Sequence, residues 1–182
     1  MNTAEQMLEQ IRAHNSRPKP PRKQPYRKPH SIRELEKMYF EHSKAKHPDI
    51  PEPCLVKTKF RDDSANSLTA AIIAFLKLSG WQAERINVMG RPQYQSHITT
   101  DWTGQQHRTG SIKWIPSGST PGSADISATI NGRSVKIEVK YGKDRQSEAQ
   151  KKYQKSIEDA GGAYIIIRNF DEFKKWYDIF AG

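Results

Sequence analysis

The segment from Ser123 to Lys140 constrains the fold more than any other part of the chain. At its centre, Asn131-Gly132 is the strongest short-range signal for a two-residue type I′ hairpin, a turn that needs positive φ at both positions. The flanks alternate with period two. Ile126, Ala128 and Ile130 take one face and Asp125, Ser127 and Thr129 the other; past the turn, Val135, Ile137 and Val139 alternate with Lys136, Glu138 and Lys140. A two-residue loop pairs Ile130 with Arg133, and counting outward sets Asp125 directly opposite Glu138. Side chains paired in this way share a face, with Cβ atoms roughly 4.5–5.5 Å apart. Lys140 falls two residues further along that face, opposite Ser123. Two carboxylates across one ladder repel each other, so positive charge belongs between them, and a divalent cation with an adjacent lysine supplies it.

Around this hairpin the chain reads as alternating helices and strands. Ser31-Ile-Arg-Glu34 is a capping box that opens a helix to about residue 45, ended by Pro48, Pro51 and Pro53. Leu55 to Phe60 alternates weakly, as a short strand would. Asp63 or Ser64 caps a helix to about Ser79 with Leu68, Ile72, Phe75 and Leu76 as its buried stripe, and Gly80 stops it. Gln82 to Val88 predicts a strand, Gly90 to Gly110 a polar irregular excursion, and Ser111 to Ile115 another strand. After the hairpin, Ser147 caps a helix to Ala160 whose Ala149, Tyr153 and Ile157 face the core. Ala163 to Ile167 is a continuous apolar run, hence a central strand. Phe170 to Phe180 is a closing helix. Trp102 and Trp114 have the composition of base-stacking residues, but aromatics beside strands are more often core.

The ordered set Gly122-x-x-Asp125-Ile, Ile137-Glu-Val-Lys140, Ser147-Glu-x-Gln150-x-x-Tyr153 and Ala160-Gly-Gly162, followed by Tyr164-Ile-Ile-Ile167, resembles the VRR-NUC branch of the PD-(D/E)xK nuclease superfamily. The likeness runs from about residue 57 to 180 and includes the helix and strand between Ala65 and Asn87. It implies an α/β fold: a restriction-endonuclease-like central mixed sheet flanked by helices, with a partly disordered basic N-terminal extension. Residues 1–53 would be that Pro-rich extension, with one or two helices, and 54–182 the nuclease-like domain. The implied activity is metal-dependent hydrolysis of phosphodiester bonds in DNA, including branched or flapped structures, in replication, repair or recombination, in a bacterial or phage-encoded setting. The alternative is a non-catalytic nucleic-acid-binding module that keeps the fold.

Chemistry supports the same assignment of roles. A hard cation, Mg²⁺ or Mn²⁺, suits carboxylate and carbonyl oxygens; Asp125 and Glu138 would be its direct ligands and the Val139 carbonyl a third. Lys140 would orient or deprotonate the attacking water and stabilise the developing charge. The competing reading is an ordinary salt bridge from Glu138 to Lys140 or Lys136. In the family a glutamine at the place of Gln150 lies beside the active site. The family also carries a glutamate near the start of the first core helix, where this chain has Ala65 and Asn66; Asn66, Asp62 or Asp63 would have to substitute. His42, His47 and Cys54 match no standard zinc spacing.

Charge points to the same partner. The chain of 182 residues has 30 Lys and Arg against 20 Asp and Glu, a net +10. That balance favours a polyanion, DNA first and RNA second, over a membrane surface, and a homo-oligomer is compatible with it. Lys136, Lys143, Arg145, Lys151 and Lys152 crowd the motif as phosphate contacts. Residues 17–29 hold six Lys and Arg, five prolines and no acid, the composition of an extended, disordered phosphate-binding arm or tether. Residues 1–14 could form a helix too short to stand alone. A single cysteine, no membrane-length apolar run and no signal-peptide core predict a cytoplasmic protein.

Overall fold

The computed structural model describes residues 25–87, 90–116 and 118–182. The expected helix over 1–14 and most of the basic arm lie outside them. Helix α1 spans His30–Lys46 and a 3-10 turn spans Glu52–Cys54. Helix α2 (Ala65–Leu78) is followed by strands β1 (Gln82–Arg85), β2 (Arg91–Thr100), β3 (Gln106–Ile115), β4 (Ile126–Ile130) and β5 (Arg133–Val139). Helix α3 (Glu148–Asp159), strand β6 (Ala163–Ile167) and helix α4 (Phe170–Ala181) complete the chain. The result is a mixed α/β fold. Its main sheet has the order β1-β4-β5-β6, antiparallel except for β5 and β6, which run parallel and are joined through α3.

The central hairpin forms in the expected register. Asn131 and Gly132 both take positive φ, at 50° and 72°. Ile130 pairs with Arg133 and Ile126 with Ile137, so Asp125 and Glu138 follow as the next opposed positions. Ile126, Ala128, Ile130, Val135 and Ile137 are fully buried or nearly so on one face. Against that face pack Leu68, Ile72, Phe75 and Leu76 of α2, Phe170 and Phe173 of α4, and Ile32 and Leu35 of α1. Phe75 holds the two ends of this layer together, meeting Phe170, Phe173 and Tyr177 edge-on. Each such fully buried side chain contributes about 1.5–3 kcal/mol by leaving water. Because Ile32 and Leu35 enter this core, α1 belongs to the same hydrophobic unit as the segment after residue 54. Ser64 caps α2 by accepting from the Ser67 N–H, and Asn169 caps α4 through the Glu172 N–H.

Several expectations are corrected. Leu55 to Phe60 forms no strand; the Phe60 N–H donates instead to Glu36 Oε1 at 2.8 Å, so its backbone is satisfied off any ladder. The stretch from Gly90 to Gly110 is not irregular: β2 and β3 pair over ten residues each as a separate two-stranded sheet. Neither face of that hairpin is buried, so no hydrophobic alternation marks it in the sequence. For the same reason Trp102 and Trp114 are exposed and not core. Strand β6 is the edge of the sheet rather than its centre; its apolar run is half-buried on both faces by α3 and α4, which mimics a central strand. No residue of α3 is fully buried: Ala149 is exposed, and Tyr153 and Ile157 are half-buried. Finally, residues 25–29 are tied down. Tyr26 Oη donates to Asp62 Oδ1 at 2.7 Å, and Lys28 Nζ meets Glu36 at 2.6 Å.

Candidate functional site

The face of the sheet opposite the core presents the even-numbered residues of β5, Lys136 and Glu138, with Lys140 just past its end. Helix α3 covers this face, and its first turn is what completes the cluster. Ser147 accepts from the Gln150 N–H at 3.3 Å, while Gln150 Oε1 accepts from the Ser147 N–H at 2.9 Å, a reciprocal capping box. The same Gln150 Oε1 accepts from Lys140 Nζ at 3.0 Å, and Gln150 Nε2 donates to Glu138 Oε1 at 2.5 Å. One side chain therefore fixes the helix start and both strand residues. Gly122 allows the preceding loop to meet α3: its φ is +82°, and a Cβ there would stand 2.4 Å from the Ala149 carbonyl.

Glu138 and Lys140 are only 3 % and 5 % exposed and lie 3.0 Å apart. Lys140 also reaches Asp144 Oδ2 at 3.3 Å. Burial pushes the Glu138 carboxyl above its ordinary pKa; the Lys140 hydrogen bond opposes this without cancelling it, and the charge of Asp125 adds to it. Burial acts against the Lys140 charge too, but its bonds to Glu138 and Asp144 and their charges win, and its pKa stands above the usual lysine value. Asp125 bends back onto the strand beyond β4, its Oδ2 accepting from the Val139 N–H at 2.9 Å. In a strand the N–H and C=O of one residue point to the same side, so the Val139 carbonyl faces Asp125 as well.

Two buried polar atoms here make no hydrogen bond of good geometry, Glu138 Oε2 and the Tyr164 hydroxyl, and the phenol lies beside both the Glu138 carboxyl and Gln146. Tyr164 sits on β6 opposite Lys136 and shares the face of Glu138. Burial, followed by the Glu138 charge, pushes its phenol well above the ordinary tyrosine value. An unpaired carboxylate oxygen in a buried site is costly, and the Asp125 charge is near enough to act on this carboxyl. An all-oxygen set of two carboxylates and a carbonyl suits a hard divalent cation that keeps some of its waters. Among the described residues no three His, Cys, Asp and Glu side chains gather as a metal-binding group, so protein carboxylates alone would give no more than Asp125 and Glu138.

The expected substitutes for a helix carboxylate do not join the site. Asn66 Oδ1 accepts from Arg85 Nη2 at 2.7 Å. Asp62 is spent on Tyr26 and on the Phe170 N–H at 3.2 Å, where it secures the start of α4. Asp63 pairs with Arg61. Among the expected phosphate contacts, Lys136 points along the site face and donates to Ser127 at 2.5 Å. Lys143 and Arg145 are exposed in the loop after β5, and Lys151 and Lys152 on α3, with Lys151 2.8 Å from Glu148. Sequence reasoning missed Asp144 and Tyr164. The signal for Asp144 was its place four residues past Lys140 across a Gly142 turn; that for Tyr164 was a polar tip inside an apolar run. Comparison of the chain with protein-family models, curated proteins and solved structures finds no match.

Proposed function

We propose that this protein is a metal-dependent nuclease that hydrolyses phosphodiester bonds in DNA, on a restriction-endonuclease-like sheet of the VRR-NUC kind. The observation that carries this reading is the buried, half-satisfied Glu138 beside Asp125, clamped by Lys140 and Gln150. Asp125, Glu138 and the Val139 carbonyl would hold Mg²⁺ or Mn²⁺. A cation bound there supplies charge relief at the phosphate and a more acidic water. Gln150 orients Glu138 by donating to one oxygen and leaving the other free. Lys140, bonded to Glu138 and Asp144, would orient or deprotonate the attacking water and stabilise the developing negative charge. Lys136, Lys143, Arg145, Lys151 and Lys152 serve the DNA backbone, which the net charge of +10 favours as a partner.

A second reading, a nucleic-acid-binding module without catalysis, draws on one observation: Asn66, Asp62 and Asp63 are all engaged elsewhere, so no helix carboxylate supports the site. Incubation with Mg²⁺ or Mn²⁺ and labelled duplex, flap, junction and RNA substrates separates the two. Metal-stimulated strand cleavage of DNA, abolished by EDTA, supports the nuclease. Binding without cleavage of any substrate supports the module.

A further inference from the structure

The β2–β3 hairpin takes no part in the core or in the site. Its strands pair only with each other, and apart from Ile115 every residue in them is exposed. A lone two-stranded hairpin is marginal in water, and this one shows solvent a face of Tyr94, Ile98, Ile112 and Trp114. At its tip Trp102 is 96 % exposed. Across residues 90–116 stand three Lys and Arg, two His and a single carboxylate, Asp101. That carboxylate is consumed internally. Oδ1 accepts from the Thr103 N–H (2.9 Å), the Thr103 hydroxyl (2.6 Å) and the Gln105 N–H (2.9 Å), and Oδ2 meets His107 Nε2 at 2.8 Å. The ribbon therefore offers cations, amides, hydroxyls and aromatic faces, and no outward negative charge.

We propose that this hairpin is a duplex-DNA-binding ribbon, an inference that takes its partner from the nuclease reading above. Ten residues per strand reach about 34 Å at ~3.4 Å each, one turn of B-DNA. The major groove of B-DNA admits a two-stranded β-ribbon, whereas that of duplex RNA is too narrow for side chains to read. Arg91 and Lys113 lie on one face and Arg108 on the other, set to reach phosphates on the two walls of the groove. Trp102 supplies a stacking or wedging ring at the leading end. In sequence the ribbon follows directly on a strand that borders the candidate site. Arg85, the last residue of β1, pairs with Ile126, and the Ile86 N–H donates to the Asp125 carbonyl at 2.8 Å.

The test uses the full chain, a labelled duplex and EDTA, so that binding is read without cleavage. Arg91→Ala, Arg108→Ala and Lys113→Ala together should weaken duplex binding at least about tenfold. They should also flatten the log–log salt slope by up to about 2.7, from three phosphate contacts at ~0.9 each. Trp102→Ala should weaken binding with little change in slope. Thermal midpoints should stay at the wild-type value, because these side chains lie outside the core. Unchanged affinity and slope overturn the proposal. So does equal, equally sensitive binding of duplex RNA, or a wild-type dimer by light scattering that Trp114→Ala turns into a monomer, which would make the face an interface between copies. Hairpin-dependent binding by a protein that cuts no DNA with metal would sink the nuclease reading and support the ribbon. Cleavage that survives with unaltered binding would do the reverse.

Discussion

Gln150 does three jobs with one amide: it closes the cap of α3, takes a bond from Lys140 and gives one to Glu138. Gln150→Glu separates these. A glutamate at this position of the capping box still serves the helix, but it places a carboxylate against Glu138. Helicity and thermal midpoint at low pH should match wild type, while cleavage should fall and Glu138 should titrate at higher pH; a fully active variant would reduce Gln150 to a cap. Lys140→Ala should lower cleavage by at least about 10²-fold, the usual effect of losing such a group. It also strands the buried Glu138 charge. A carboxyl whose folded pKa is raised loses stability as pH rises from its unfolded value through its folded one. The Lys140→Ala defect in thermal stability should therefore be small below the ordinary carboxylate pKa and grow toward neutral pH. A pH-independent defect would mean lost packing instead.

The elements differ in how openly the sequence announces them. The β4–β5 hairpin is legible to the residue because Asn131-Gly132 sets the loop and burial of one face sets the register. The capped helices are legible because Ser64, Ser147 and Asn169 each satisfy an orphan N–H. Ribbon β2–β3 escapes because it buries neither face, and β6 misleads because flanking helices half-cover an edge. What orders the ribbon tip is Asp101. The Thr103 hydroxyl first, then His107, hold its carboxyl at about 2. With a depressed pKa, the tip keeps this stabilisation above the ordinary aspartate value and loses it as pH falls through about 2. The Thr103 and Gln105 amide resonances should titrate with a midpoint near 2; a midpoint near 4 would show the turn bonds contribute nothing.

For the whole molecule, the two carboxylates and the lysine were legible from strand register alone, since opposed positions on a hairpin must share a face. The missing partner was not, because whether Asn66, Asp62 or Asp63 reaches the site depends on Arg85, Tyr26 and α4, which lie far off in sequence. The same holds for the N-terminal arm, whose last residues are fastened through Tyr26 and Lys28. Deleting residues 1–24 should leave the thermal transition intact, flatten the salt dependence of DNA binding and weaken it, because the basic groups of 17–24 go with it. An unchanged slope would make that arm a tether only.

Glu138 is buried with one oxygen unpaired at the centre of the proposed metal site. Mn²⁺-dependent cleavage of end-labelled DNA by wild type and by Glu138→Gln, side by side and with matched thermal midpoints, tests this site most directly. Wild type should cleave in a reaction that EDTA stops, and the variant should show no cleavage above background. Equal cleavage by the two proteins, or none by either, would contradict the proposed site.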